Sequence, residues 1–144
     1  MAQEAVQGTR TAPDRRQYGR ALRIIVADDE RDTVDTLSRF LRQQGDVVHG
    51  VYVGKDVLAA ASLLRPDAII LDIAIPEMSG YAVAQAIRHT FTDMRRPLLI
   101  AMSGIWKDFP DREIARQVGF DHYLTKPADL ANLLALLEPL RAPR

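Results

Sequence analysis

The sequence predicts one α/β domain built on a five-stranded parallel sheet with helices on both faces. Three observations carry this. Five short apolar runs alternate with five segments of helical periodicity, the βαβ pattern of a parallel sheet. The runs Leu22–Ala27 and Ala68–Leu71 are apolar along most or all of their length, as strands covered on both faces are. Gly45, Pro66, Pro110 and Gly119 fall at the boundaries between segments. At 144 residues the chain suits one domain with one core.

The elements follow in order. Residues 1–20 read as a flexible polar leader, broken by Gly8, Pro13 and Gly19 and made mildly basic by Arg10, Arg15, Arg16 and Arg20. A docking arm for an acidic partner is the alternative for it. The folded domain is expected over 21–142. Leu22–Ala27 is the first strand. Asp32–Gln44 carries Val34, Leu37, Phe40 and Leu41 at helical spacing, and Gly45 closes it. Val47–Val53 is the second strand, and Lys55–Leu64 a helix with Pro66 just past its end. Ala68–Leu71 is the third strand. Tyr81–His89 is a helix with Val83, Ala84 and Ile87 on one face. Leu98–Met102 is the fourth strand. Asp111–Val118 is a short helix between Pro110 and Gly119. Phe120–Leu124 is the fifth strand, and Ala128–Leu140 a Leu-rich final helix. The strand order expected for such a chain is 2-1-3-4-5, the flavodoxin-like three-layer (βα)5 sandwich.

Composition narrows the function classes. The 19 basic and 19 acidic residues balance, so no basic excess marks a nucleic-acid binder. There is no cysteine, hence no disulfide framework and no thiolate metal site. No apolar stretch approaches the roughly 20 residues that span a membrane, and no secretory signal is visible. A cytoplasmic protein is the expectation, and the initiating Met1 favours a complete small protein over a fragment.

The chemistry sits at the strand ends. In a parallel sheet all strands point one way, so residues just past their carboxyl ends meet at one edge, where such sheets bind ligands. Asp28-Asp29, Asp72, Ser103 and Lys126-Pro127 would converge there. Asp28 and Asp29 fit two roles: capping the next helix together with Glu30 and Asp32, or holding a hard cation. Asp72 ends an apolar strand before the Pro76/Gly80 loop. It is either a turn former or a nucleophilic carboxylate of the kind that forms aspartyl-phosphates. Gly80 would tolerate backbone angles that a side chain resists. Ser103 can donate to a phosphoryl oxygen and Lys126 is a compact cation suited to phosphate, although neither is informative alone. The Lys126-Pro127 bond is a candidate for the cis form. His49, His89 and His122 show no ligand spacing.

Together these segments resemble the receiver domain of bacterial two-component response regulators. The matching residues are Asp28-Asp29, then Leu71 to Tyr81 (LDIAIPEMSGY), then Ser103-Gly104, then Tyr123 to Pro127 (YLTKP). The resemblance covers Leu22 to Leu140. Val118 to Pro127 is similar to receivers attached or related to hybrid sensor kinases, and the fold implied is that of the stand-alone chemotaxis regulators. The resemblance implies that Asp72 accepts a phosphoryl group from a phosphohistidine of a partner kinase. It implies Mg²⁺ (or Mn²⁺) on Asp29 and Asp72 directly, on Asp28 through water and on the Ala74 carbonyl. Ser103 and Lys126 would contact the phosphoryl oxygens. Tyr123 matches the aromatic switch position, turning inward as Ser103 moves, with readout on the face of the fourth helix, fifth strand and fifth helix. Simple strand packing is the alternative for Tyr123.

Apolar Ala74 and Ile105 near the site cannot orient an attacking water, so a long-lived phosphorylated state is expected. Trp106 is either packing or a partner contact, and the crowding of Trp106, Phe109 and Pro110 suggests a late or short fourth helix. The expected function is a single-domain response regulator that serves as phosphoacceptor rather than enzyme. Its expected partners are a sensor histidine kinase or histidine phosphotransfer protein and a downstream protein target. Direct DNA binding is not expected, and the oligomeric state is a monomer or a weak phosphorylation-dependent dimer. The competing readings are a phosphorylation-independent binding module and a small aspartate-nucleophile phosphatase. The latter class places an Asp-x-Asp nucleophile after the first strand, a pattern that Asp28-Asp29-Glu30 does not fit.

Overall fold

A computed structural model of the chain describes residues 19–92, 96–104 and 109–142, with backbone alone at 109–111. The leader to residue 18, Ile105 and Trp106 lie outside the described residues. The elements run β1 (Arg23–Ala27), α1 (Arg31–Gln43), β2 (Val47–Val51), α2 (Lys55–Leu64), β3 (Ala68–Asp72), α3 (Gly80–Thr90), β4 (Leu98–Ser103), α4 (Phe109–Val118), β5 (His122–Thr125) and α5 (Leu130–Leu137). A 3₁₀ turn, Glu138–Arg141, follows. The strands form one parallel sheet in the order β2-β1-β3-β4-β5, as the alternation of elements predicts.

Two apolar layers flank the sheet, and strand periodicity of two assigns residues to them. Ile24 and Val26 of β1, Ala68 and Ile70 of β3, and Ile100 and Met102 of β4 pack with Val34, Leu37 and Leu41 of α1 and Leu133 and Leu137 of α5. Their neighbours Ile25, Ala27, Ile69, Leu71, Leu99 and Ala101 pack on the other face with α2, α3 and Ala115 of α4. Val83, Ala84 and Ile87 share the buried face of α3. This explains why β3 is apolar throughout: both of its faces are covered. Each fully buried Leu or Ile contributes roughly 1.5–3 kcal/mol through removal of apolar surface from water.

Glycine ends two helices. Gly45 (φ 96°) donates to the Arg42 carbonyl and Asp46 N–H to Leu41, closing α1. Gly119 (φ 119°) donates to Arg116 and Phe120 N–H to Ala115, closing α4 the same way. Phe120 is therefore spent on the helix cap, and β5 starts at His122 rather than at Phe120. The last helix begins at Leu130 because Asp129 caps it, accepting from Ala131 and Asn132 N–H at 3.0 and 3.3 Å. It tightens into the 3₁₀ turn at Glu138, where Pro139 supplies no N–H. The fourth helix is 10 residues long and starts at Phe109, two residues earlier than the sequence pattern suggests. Among the described residues no helix is long and apolar enough to cross a membrane.

Candidate functional site: an acidic pocket at the carboxyl edge of the sheet

Asp28 follows β1 directly. Its N–H extends the β1–β2 ladder by bonding Val51 O at 3.0 Å, and its Oδ1 accepts from Glu30 N–H at 2.9 Å. It is fully buried, whereas Asp29 is exposed. Glu30 occupies the N-cap position of α1, yet no side chain caps that helix. The capping role weighed for this acidic cluster is thus reduced to Asp32 in the first turn, and the carboxylates of Asp28 and Asp29 are left to face the sheet edge.

Asp72 is the last residue of β3 and is buried. Its Oδ1 accepts from Ala74 N–H at 3.1 Å and its Oδ2 lies 3.2 Å from Lys126 Nζ. One carboxylate oxygen from each of Asp28, Asp29 and Asp72 lies within 4.8 Å of the other two, a spacing that suits one cation. Lys126 follows β5. Its N–H donates to Ser103 O at 2.7 Å and its peptide bond to Pro127 is cis. The ammonium lies 2.6 Å from Asp28 Oδ2 and 3.2 Å from Glu30 Oε1. Ser103 ends β4 and is buried, one position beyond Met102, which pairs with Asp72 across the ladder.

Among the described residues three carboxylates, of Asp28, Glu30 and Asp72, thus meet one ammonium, and Asp29 lies beside them, so acidic groups outnumber basic ones here. Burial pushes the Asp28 carboxyl above its ordinary value and the charge of Asp72 adds to this, while Lys126 and Glu30 N–H oppose it. Burial alone would pull the Lys126 ammonium down. The bond to Asp28 and the fields of Asp72 and Asp28 outweigh that and hold it above the usual lysine range. The site therefore favours positive charge, supplied by the lysine and by whatever else binds.

Tyr123 stands apart from this cluster. It pairs with Ala101 in the sheet, packs against the α2–α3–α4 layer and carries the Arg112 guanidinium 5.2 Å from its ring centre. Its hydroxyl is buried without a hydrogen-bond partner among the described residues. Ala74 is exposed on the loop after β3. Two features escape sequence reasoning. One is the contact of Glu30 with Lys126, for which the only signal is its place beside the aspartate pair. The other is a cavity of about 500 Å³ between α1 and the start of α5, lined by Thr33, Leu37, Met102, Lys126, Pro127 and Leu130 among others.

Gly80 serves differently from expectation. It is not among the residues with positive φ. Those in this loop are Glu77 (62°) and Met78 (133°). A Cβ on Gly80 would come within 2.6 Å of Ile73 Cα and 2.8 Å of Asp72 O, so close approach rather than backbone angle requires glycine there.

A parallel 2-1-3-4-5 sheet whose carboxyl edge gathers three aspartates, a serine and a lysine defines the flavodoxin-like receiver class. The family model of the response regulator receiver domain matches residues 24–138, and the chain belongs to that family. The transcriptional regulatory protein PrrA of Mycobacterium tuberculosis is 37% identical over 118 residues, 82% of this chain and 49% of PrrA. The chain spans about half the length of the curated relatives it matches. Among solved structures, the receiver domain of the sensor histidine kinase PA1611 from Pseudomonas aeruginosa, determined with magnesium in its active-site cleft, superposes with a TM-score of 0.73 at 29% identity. That match covers 83% of this chain and 97% of the other. The receiver domain of Saccharomyces cerevisiae Ssk1, crystallised with the histidine phosphotransfer protein Ypd1, gives a TM-score of 0.77 at 20% identity over 87% and 94% of the two chains.

Proposed function

We propose that Asp72 is the phosphoacceptor of a two-component phosphorelay. The observation that carries this is a buried carboxylate, held by Ala74 N–H and Lys126, inside a cluster of aspartates with negative charge left over. An oxygen of Asp72 attacks the phosphorus of a phosphohistidine. The P–O bond forms as the P–N bond breaks, and the imidazole nitrogen keeps the electron pair and takes a proton from solvent.

The donor set fits Mg²⁺ or Mn²⁺: the ligands are hard oxygens and the surplus charge is negative. Asp29 and Asp72 would hold the ion directly, Asp28 through water and Ala74 through its carbonyl. When bound, the ion neutralises charge on the transferring group. Lys126 moves from its carboxylates to a phosphoryl oxygen, and Ser103 donates to another. Tyr123 then rotates, and the α4-β5-α5 face presents a changed surface to a downstream protein. The phosphodonor is a sensor histidine kinase or a histidine phosphotransfer protein, a reading supported by the pairing of Ssk1 with Ypd1 and by the kinase origin of the PA1611 receiver. The protein works in the cytoplasm as a monomer or weak phosphorylation-dependent dimer, without turning over a substrate and without contacting DNA through this domain.

Incubation with acetyl phosphate and Mg²⁺ followed by intact-mass measurement tests this. One added phosphoryl group, absent with EDTA and absent in Asp72→Asn, is the expected result. Labelling that persists in Asp72→Asn would move the acceptor elsewhere. No labelling by acetyl phosphate, together with no binding of Mg²⁺ or beryllofluoride, would favour a phosphorylation-independent binding module.

A further inference from the structure

The loop from Ile73 to Ser79 carries the Ala74 carbonyl and, through Ala74 N–H, orients the Asp72 carboxylate. Glu77 and Met78 within it adopt left-handed backbone angles that non-glycine residues resist. A loop so shaped keeps its form only where neighbours hold it. Its neighbour is the turn between β2 and α2. Gly54 N–H donates to Pro76 O at 2.8 Å. A Cβ built on Gly54 would overlap the Met78 carbonyl oxygen and lie 2.9 Å from its carbon and 3.1 Å from its Cβ. Gly54 itself has ordinary helical angles (φ −62°, ψ −39°) that any residue can adopt. Glycine is therefore needed there for contact and not for conformation. The adjoining Lys55–Glu77 pair, 2.9 Å apart and exposed, is too solvated to hold the loop by itself.

We propose that Gly54 is a positioning residue for the metal side of the acceptor site. By admitting the Met78 carbonyl against its bare Cα, it docks the β3–α3 loop on the β2–α2 turn and so fixes Ala74 relative to Asp72. This rests on the phosphoacceptor reading above.

The test compares Gly54→Ala with Gly50→Ala in the full chain. A Cβ at Gly50, in β2, would meet the Val34 side chain at 2.7 Å, a structural insult away from the loop. Calorimetric titration with Mg²⁺ should show affinity weakened about tenfold or more by Gly54→Ala, as loss of outer-shell support does. Gly50→Ala should lower the melting temperature and leave Mg²⁺ affinity as in the wild type. In the metal-free protein, Gly54→Ala should also speed hydrogen exchange at the Ala74 amide. Wild-type Mg²⁺ affinity in Gly54→Ala, or equal weakening by both variants, would overturn the inference. Should Gly54→Ala fail to fold, the wild type decides: reciprocity of coupling requires Mg²⁺ saturation to increase exchange protection of the Gly54 amide. Unchanged protection would overturn the inference. A wild type that binds no Mg²⁺ would overturn the phosphoacceptor reading and this inference with it, whereas wild-type binding with an unaffected Gly54→Ala sinks the inference alone.

Discussion

The two ends of the sheet hold buried charge in opposite ways. At the amino edge, Arg141 makes a bidentate pair with Asp46, both bonds 2.7 Å, and Asp46 also accepts from Leu22 N–H. Beside it Arg20 bonds Asp67 at 3.0 Å, and Asp67 accepts from Arg23 N–H at 2.8 Å. Each carboxylate there meets a guanidinium. At the carboxyl edge, among the described residues, Asp28, Glu30 and Asp72 share Lys126, with Asp29 beside them. Balanced buried charge specifies structure, because removing either partner strands the other. An excess of carboxylates, with Asp28 and Asp72 buried and Asp29 and Glu30 exposed, instead favours a further cation.

The sharpest way to break this contrast is at the balanced end. Arg141→Met should cost about 3–5 kcal/mol, since it leaves Asp46 buried and unpaired. Urea denaturation measures it. Replacing both partners, Arg141→Met with Asp46→Leu, should recover most of that loss, as well-packed apolar pairs do, and Mg²⁺ binding should be unaltered throughout.

At the unbalanced end the signs differ. Lys126→Met, which removes the ammonium that Asp28, Glu30 and Asp72 share, should destabilise the metal-free protein by about 1–3 kcal/mol, the scale of a lost charge-assisted bond. Added Mg²⁺ should restore more stability to this variant than to the wild type. For the wild type, Mg²⁺ at a hundred times its dissociation constant should stabilise by about 2.7 kcal/mol, read as a rise in melting temperature that EDTA reverses. Asp28→Asn, by contrast, relieves crowding. It should leave the metal-free protein as stable as the wild type or more so, by up to about 2 kcal/mol, while weakening Mg²⁺ binding. A loss of stability comparable to that of Arg141→Met would erase the distinction between the two ends.

The smallest expected effect concerns lifetime. With Ala74 unable to orient water, the aspartyl-phosphate should persist, and Ala74→Asn should shorten it several-fold by mass spectrometry. Rapid decay of the wild type without a phosphatase would refute this.

Much of this contrast was written into the chain in one dimension and some was not. The sheet was legible because the continuous apolar runs Leu22–Ala27 and Ala68–Leu71, the alternation of such runs with helical segments, and the glycines at 45 and 119 are local signals. The convergence of Asp28, Asp29, Asp72, Ser103 and Lys126 followed from one topological rule applied to strand ends. The amino-edge pairs were not legible, since Arg141 and Asp46 stand 95 residues apart and neither lies in a motif. The displacement of β5 was hidden because Phe120 is equally apt as a strand residue and as the closing contact of a helix cap. Gly54 and Gly80 were illegible in their true role, because what they make room for is another segment's backbone.

The amino-edge cluster also joins the domain's ends. Arg20 N–H donates to Arg141 O at 3.1 Å and Arg141 Nη1 to Arg20 O at 3.3 Å, so the chain enters and leaves the fold at one spot. That spot is at the opposite edge of the sheet from the acidic pocket. The domain is therefore wired like a cassette: a neighbour spliced before residue 20 or after residue 141 would attach at the socket side and leave the charging port clear.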